Sequence, residues 1–142
     1  MFRKILVAID GSEPASRALE AALEEASVWN AKVHVVYVVE SGLFSSLPMD
    51  NTLEVIYSVL QKEGEEILES ARKKADAAGI SLTTHLRQGH AGSQIVSLAE
   101  ELGIDLIVLG SYGKSGVDRL LLGSVTDYVV QNSPITTTVV RT

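Results

Sequence analysis

The chain of 142 residues is the length of one domain, and its 46% hydrophobic and 21% charged residues are typical of a globular fold. Its 12 basic and 18 acidic side chains give a net charge of −6, which disfavours binding to nucleic acid or to an anionic membrane surface. The sequence has no cysteine, which excludes disulfide bonds, thiolate metal sites and cysteine nucleophiles and fits a cytoplasmic location.

Five short apolar runs predict five β-strands. The first, second and fourth runs are apolar at consecutive positions, which is typical of strands covered on both faces of a parallel sheet. The five predicted strands are residues 5–9, 33–39, 80–87, 104–109 and 135–140.

Four amphipathic helices are predicted between the strands, since apolar residues recur there every three or four positions. Ser12 is expected to cap the first helix, and Gly79 and Gly103 are expected to end the second and third in the left-handed conformation. The helical segments are residues 12–26, 53–78, 95–102 and 124–132.

The alternation of strands and helices predicts an α/β fold. We expect a single domain over residues 1–142, with a five-stranded, mostly parallel sheet and helices on both faces. Residues 40–52, which follow the second strand, form one long irregular segment, and we expect a flap there.

The segment after the fourth strand is rich in glycine. Two residues separate Gly110 from Gly113, and nine separate Gly113 from Gly123. Ligands of open parallel sheets bind outside the C-terminal ends of the strands, and glycine lets backbone N–H groups come close to an anion. The spacing is not that of a Walker A loop, and no G-x-G-x-x-G follows the first strand.

A second anion-binding feature is predicted at the start of the last helix. Ser124 is expected to cap this helix, and the free N–H groups of Val125 and Thr126 would add positive potential there. Lys114 would supply a counter-charge. Two anion-binding stretches joined by a short linker predict a polyphosphate site.

The pattern Gly110-x2-Gly113-x9-Gly123-Ser124 resembles the G-2x-G-9x-G-(S/T) pattern of the ATP-binding members of the universal stress protein family. The resemblance extends over essentially the whole chain, including residues 5–12, 122–125 and 133–135. It implies a Rossmann-like five-stranded sheet, a homodimer, and an adenine nucleotide bound at the C-terminal ends of the strands.

The resemblance also implies roles for individual positions. Ala8 and Asp10 would border adenine and ribose, with Asp10 accepting from the ribose hydroxyls. Val38 would meet the adenine edge through its backbone, and Leu109 and Gly110 would pack near the ribose. The positions expected at or beside the phosphates are Gly113, Lys114, Ser115, Gly123, Ser124, Val125 and Thr126.

Simpler interpretations stay open for several of these residues. Gly110 and Gly113 also suit a plain turn after a strand, and Asp10 also suits an Asx turn before the first helix. Lys114 also suits a solvated loop. Tyr112 stands where relatives often carry His or Arg, so the resemblance implies no phosphate contact through its side chain.

The histidines predict no metal site. His34 and His85 belong to different predicted strands and His90 to a loop, and no ligand spacing connects the three. No G-x-S-x-G turn is present to support a serine nucleophile.

Three functions stay open. The first is a nucleotide-dependent sensor or regulator of the stress response that binds ATP, ADP or AMP, with Mg²⁺ or Mn²⁺ near Ser124. The second is an adenylating or slow ATP-hydrolysing enzyme, although no catalytic residue is assigned. The third is a dimeric interaction module with a vestigial nucleotide site. Residues 135–140 are uncharged and β-prone, so we expect them at a sheet edge that pairs with a second copy.

Overall fold

The computed structural model describes residues 1–41, 51–112 and 122–141. Strands and helices alternate along these residues, as the sequence predicts. Their bounds are β1 Lys4–Ala8, α1 Glu13–Trp29, β2 Lys32–Glu40, α2 Asn51–Ala77, β3 Leu82–Gly89, α3 Ala91–Leu102, β4 Leu106–Gly110, α4 Ser124–Asn132 and β5 Thr137–Val140.

The five strands form one parallel sheet in the order β3-β2-β1-β4-β5. This confirms the predicted α/β fold and places the last strand at a sheet edge. The order reverses between β1 and β4, which are direct neighbours with Val7 beside Val108. Such a reversal opens a crevice at the C-terminal ends of the two central strands.

Two apolar cores cover the two faces of the sheet, because successive side chains of a strand point to opposite faces. Ile5 and Val7 of β1 pack with α1 and α2 on one face. Leu6 of the same strand packs with Ile95 of α3 and Val129 of α4 on the other. The predicted helices on both faces are confirmed.

The predicted helix ends are also confirmed. The hydroxyl of Ser12 accepts from the N–H of Ala15 at 3.3 Å and caps α1. Gly79 and Gly103 have φ of +71° and +67° at the ends of α2 and α3. No helix in the described ranges is long and apolar enough to cross a bilayer.

Three strands begin two residues later than predicted, namely β3, β4 and β5. At β4, the N–H of Ile104 bonds to the carbonyl of Ala99 at 2.9 Å, at the end of α3. The N–H of Ile80 bonds to the carbonyl of Ala75 at 2.9 Å, so this residue completes the end of α2 and β3 begins at Leu82. The N–H of Ile135 bonds to the hydroxyl of Ser133 at 3.2 Å, which leaves it outside the β5 ladder. Local hydrogen bonds to the preceding element therefore delay the start of each of these strands.

Candidate functional site

The crevice between β1 and β4 gathers most of the predicted site residues. Asp10 follows β1 and Gly110 ends β4, so both lie at the same edge of the sheet. Four apolar positions predicted at the base, ribose or phosphates share one face, the one covered by α3 and α4. Leu109 is buried in that core, and the others are half-buried against it: Ala8, Val38 and Val125.

A backbone hydrogen bond joins the end of β4 to the residue that precedes α4. The N–H of Gly123 donates to the carbonyl of Ser111 at 2.7 Å, and the N–H of Ser111 donates to the carbonyl of Val140 at 2.9 Å. Ser111 is only 1% exposed. The residue that precedes α4 is therefore in direct contact with the end of β4, and Gly123 lies close to Gly110.

The start of α4 differs from the prediction. Gly123 is the N-cap, because its carbonyl accepts from the N–H of Asp127 at 2.9 Å, and Ser124 is already the first helical residue. The prediction that Ser124 caps this helix is therefore wrong. A glycine cap offers no side chain to the first helical amides, which also have no carbonyl partner within the helix.

The starts of α1 and α3, which also lie at this edge, have side-chain caps. Ser12 caps α1. At α3, His90 accepts through Nδ1 from the N–H of Ser93 at 3.1 Å, and the Glu40 carboxylate accepts from the N–H of Ala91 at 3.0 Å. The sequence analysis assigned neither capping role. Among these three helix starts, α4 alone has an N-cap without a side chain.

Thr126 ties α4 to β4. Its hydroxyl donates to the carbonyl of Gly110 at 2.7 Å, and the residue is 5% exposed. The resemblance implied a place beside the phosphates, whereas the structure gives its hydroxyl a partner at the strand end. Thr126 therefore positions the first turn of α4 against the glycine that ends β4.

Gly110 has a packing role that the sequence analysis did not find. A Cβ at this position would lie 2.9 Å from the carbonyl carbon and oxygen of Pro14, in the first turn of α1. Glycine therefore lets α1 start close beside the end of β4. Packing against the first turn of α1 therefore favours glycine at this position even without a ligand.

Asp10 is half-buried and forms the Asx turn that the sequence analysis kept open. Its Oδ1 accepts from the N–H of Ser12 at 2.9 Å. This bond holds the carboxylate at the C-terminal end of β1, beside the crevice. Contact with a ribose stays a prediction.

Several predicted features fall outside the described residues. These are Gly113, Lys114 and Ser115 of the glycine-rich segment, and residues 42–50 of the expected flap. The outer bounds of that flap are wrong. Glu40 still pairs with Gly89 in the β2–β3 ladder, and α2 begins at Asn51.

A histidine pair lies away from the crevice, on the adjacent strands β2 and β3. His34 Nδ1 and His85 Nε2 are 3.0 Å apart, and the two ring centres are 5.2 Å apart. The two nitrogens face each other between the rings, so the nitrogen that carries the hydrogen donates to the other. The sequence does not predict this pair, because it indicates neither that β2 and β3 are neighbours nor their register.

Burial lowers the pKa of both histidines below the ordinary value of 6.5. Positively charged neighbours add to this effect. For His34, the charged form of His85 and then Lys4 and Lys32 lower the pKa further. For His85, Arg87 lowers the pKa while Glu101 opposes it. The pair is therefore held preferentially in its neutral, hydrogen-bonded form.

Comparison with known proteins agrees with this architecture. The sequence profile of the universal stress protein family matches residues 1–141. A universal stress protein of Methanocaldococcus jannaschii is 36% identical over 141 residues, covering 99% of this chain and 83% of that protein.

Two solved structures extend the likeness to the fold. Hypothetical protein MJ0577 is similar with a TM-score of 0.89 at 28% identity, covering 100% of this chain and 97% of that one. A universal stress protein in complex with cAMP has a TM-score of 0.75 at 28% identity, covering 99% and 98%. The sequence profile, the relatives and the fold together show that this chain belongs to the universal stress protein family.

Proposed function

We propose that this protein binds an adenine nucleotide, with ATP as the preferred ligand, in the crevice between β1 and β4, and that it acts as a nucleotide-dependent sensor or regulator in the stress response. The observation that carries the proposal is the bond between Gly123 and Ser111, which brings the start of α4 to the end of β4. An N-terminal helix turn without a side-chain cap is a suitable partner for phosphate.

The half-buried apolar positions suit the base end of the ligand. Ala8 and Val38 lie on the face that α3 and α4 cover, and Leu109 is buried on the same face. Asp10 at the end of β1 would accept from the ribose hydroxyls. In this proposal the base would lie toward β2 and the phosphates toward α4.

The phosphates would meet backbone amides rather than a cluster of cations. The N–H groups of Ser124, Val125 and Thr126 form the open first turn of α4, and the helix dipole adds positive potential there. Gly113, Lys114 and Ser115 complete the phosphate site in this proposal, on the strength of the glycine pattern.

Mg²⁺ or Mn²⁺ would accompany the triphosphate. Within the part of the chain that the structure describes, no three His, Asp or Glu side chains come together as metal ligands. Phosphate oxygens would therefore supply most of the coordination, with the hydroxyl of Ser124 beside them. Bound in this way, the cation offsets phosphate charge.

One structural neighbour supports the choice of an adenine nucleotide. The universal stress protein in complex with cAMP shares 28% of its residues with this chain over nearly the full length of both. The intact glycine pattern favours a longer phosphate chain than that of cAMP. The cytoplasmic location inferred from the sequence stays a prediction.

We also propose a homodimer that pairs through β5. This strand lies at the edge of the sheet, next to β4, and its four residues Thr137–Val140 carry no charge. An unpaired edge of this kind is a ready site for strand pairing. Light scattering at micromolar concentration should give twice the chain mass, and a monomer mass would contradict the dimer.

The nucleotide proposal is tested by native mass spectrometry of protein purified without added nucleotide, followed by calorimetric titration with ATP. Gly123→Val is the key variant. The φ of −63° and ψ of 158° at Gly123 are allowed for valine, so the change adds a side chain without straining the backbone. We expect it to weaken ATP binding by about tenfold or more, since a close backbone approach is blocked.

The control is Val130→Ala on the same helix, at a residue that is 45% exposed. It should bind ATP as the wild type does. Equal ATP affinity in the Gly123→Val variant would contradict the site. Steady release of AMP and pyrophosphate would favour an adenylating enzyme, and failure to bind any adenine nucleotide would favour the vestigial interaction module.

A further inference from the structure

A cavity lies on the face of the sheet that α1 and α2 cover, and its lining includes Gly11 and Ser12, which follow Asp10 of the proposed nucleotide site. It has a volume of about 220 Å³ and opens between α1 and α2. Its floor is apolar and belongs to the core on the α1 and α2 side. The buried floor residues are Ile9, Ala15, Leu19 and Ala71, which are at most 7% exposed.

The cavity exists because small residues face each other across the two helices. Ala15 and Ser16 of α1 lie opposite Ser70 and Ala71 of α2 around the same space. Protein interiors rarely leave voids larger than a water molecule. An apolar cavity of about 150 Å³ is enough to hold benzene, so this one has room for a phenyl ring and a small substituent.

The rim is polar and carries one charge. Lys74 is the single charged side chain among the described residues that line the cavity. Its Nζ donates to the hydroxyl of Ser16 at 3.2 Å, which places the ammonium group across the opening between the helices. An ammonium group has three donors, so it can hold Ser16 and an anion together. The hydroxyl of Ser70 lies at the same rim.

We propose that this α1–α2 cavity binds a small monocarboxylate with an apolar body about the size of a phenyl ring. The body would rest on the floor formed by Ile9, Leu19 and Ala71, and the carboxylate would accept from Lys74 and the neighbouring serine hydroxyls. A neutral ligand would leave the ammonium group without a charged partner. A dianion would carry one more negative charge than the single ammonium group at the rim can balance.

Benzoate is the probe for the test, and benzamide is its neutral isostere. Saturation-transfer NMR with the full chain should show saturable benzoate binding in the millimolar range or below, as expected for so small a ligand. Benzamide should bind about fivefold more weakly or worse, because the ion pair at the partly exposed rim is lost. ATP should not displace benzoate, which separates this cavity from the nucleotide crevice.

Two pairs of variants locate the site. Lys74→Met should weaken benzoate binding about fivefold or more, while Lys74→Arg keeps it, since only the first removes the charge. Ser70→Phe should fill the opening and abolish binding. Ser58→Phe, at another exposed position of α2 outside the cavity, should leave it unchanged.

Absence of saturable binding at about 10 mM benzoate would overturn the proposal. Equal binding by the Lys74→Met variant, equal binding by the Ser70→Phe variant, or displacement of benzoate by ATP would each overturn it as well. The Gly123→Val variant tests nucleotide binding in the crevice separately, so failure of this proposal and failure of the nucleotide proposal can be told apart.

Discussion

Replacement of Gly110 by alanine should destabilise the fold even in the absence of any ligand. The added Cβ would lie 2.9 Å from the carbonyl carbon, the carbonyl oxygen and the Cβ of Pro14. Two of these atoms are backbone, so they cannot turn away as the end of a long side chain would. Either β4 or the first turn of α1 must shift, and overpacking of this kind costs about 1–3 kcal/mol.

The assay is urea unfolding followed by circular dichroism, without nucleotide. Gly123→Ala is the matched control, because the backbone angles at Gly123 suit alanine. That variant should stay within about 1 kcal/mol of the wild type, because the lower conformational entropy of its unfolded chain is opposed by the poorer N-cap preference of alanine. If Gly110→Ala were as stable as the wild type, the packing role assigned to Gly110 would be refuted.

Two further predictions concern side-chain hydrogen bonds. Thr126→Val removes the donor to the carbonyl of Gly110 at the end of β4 and should cost about 1–3 kcal/mol in urea unfolding, whereas Thr126→Ser should keep most of the stability; equal stability of the valine variant would contradict the role of this bond. The histidine pair has a lower pKa in the folded than in the unfolded chain, so its contribution to stability should be complete above about pH 6.5 and decline as the pH falls below that value. His34→Gln and His85→Gln should each reduce this decline below about pH 6.5, and an unchanged pH profile in both would argue against the pair as its source.

Much of the fold could be predicted because apolar periodicity is a local signal. The parallel sheet, the helices on both faces and the bounds of α4 all follow from it. The predicted starts of β3, β4 and β5 were wrong because residues of strand-like composition form local hydrogen bonds instead. Ile80 bonds to α2, Ile104 to α3 and Ile135 to Ser133.

The candidate site was less predictable because its assembly depends on contacts between distant parts of the chain. The glycine pattern pointed to Gly110 and Gly123, but the bond that joins their surroundings runs from Gly123 to Ser111. The capping prediction for Ser124 was wrong because serine is a common N-cap, while here the preceding glycine takes that position. The contact between Gly110 and Pro14 has no local signal.

Amide-resolved NMR titration with ATP and Mg²⁺ would show which backbone groups receive the nucleotide. We expect saturable shifts on both sides of the crevice, at Asp10 and Gly110 and along the first turn of α4 over residues 123–126, while His34 on β2 stays unperturbed. Saturation with ATP that leaves the amides of residues 123–126 unchanged would contradict the claim that this turn receives the phosphates.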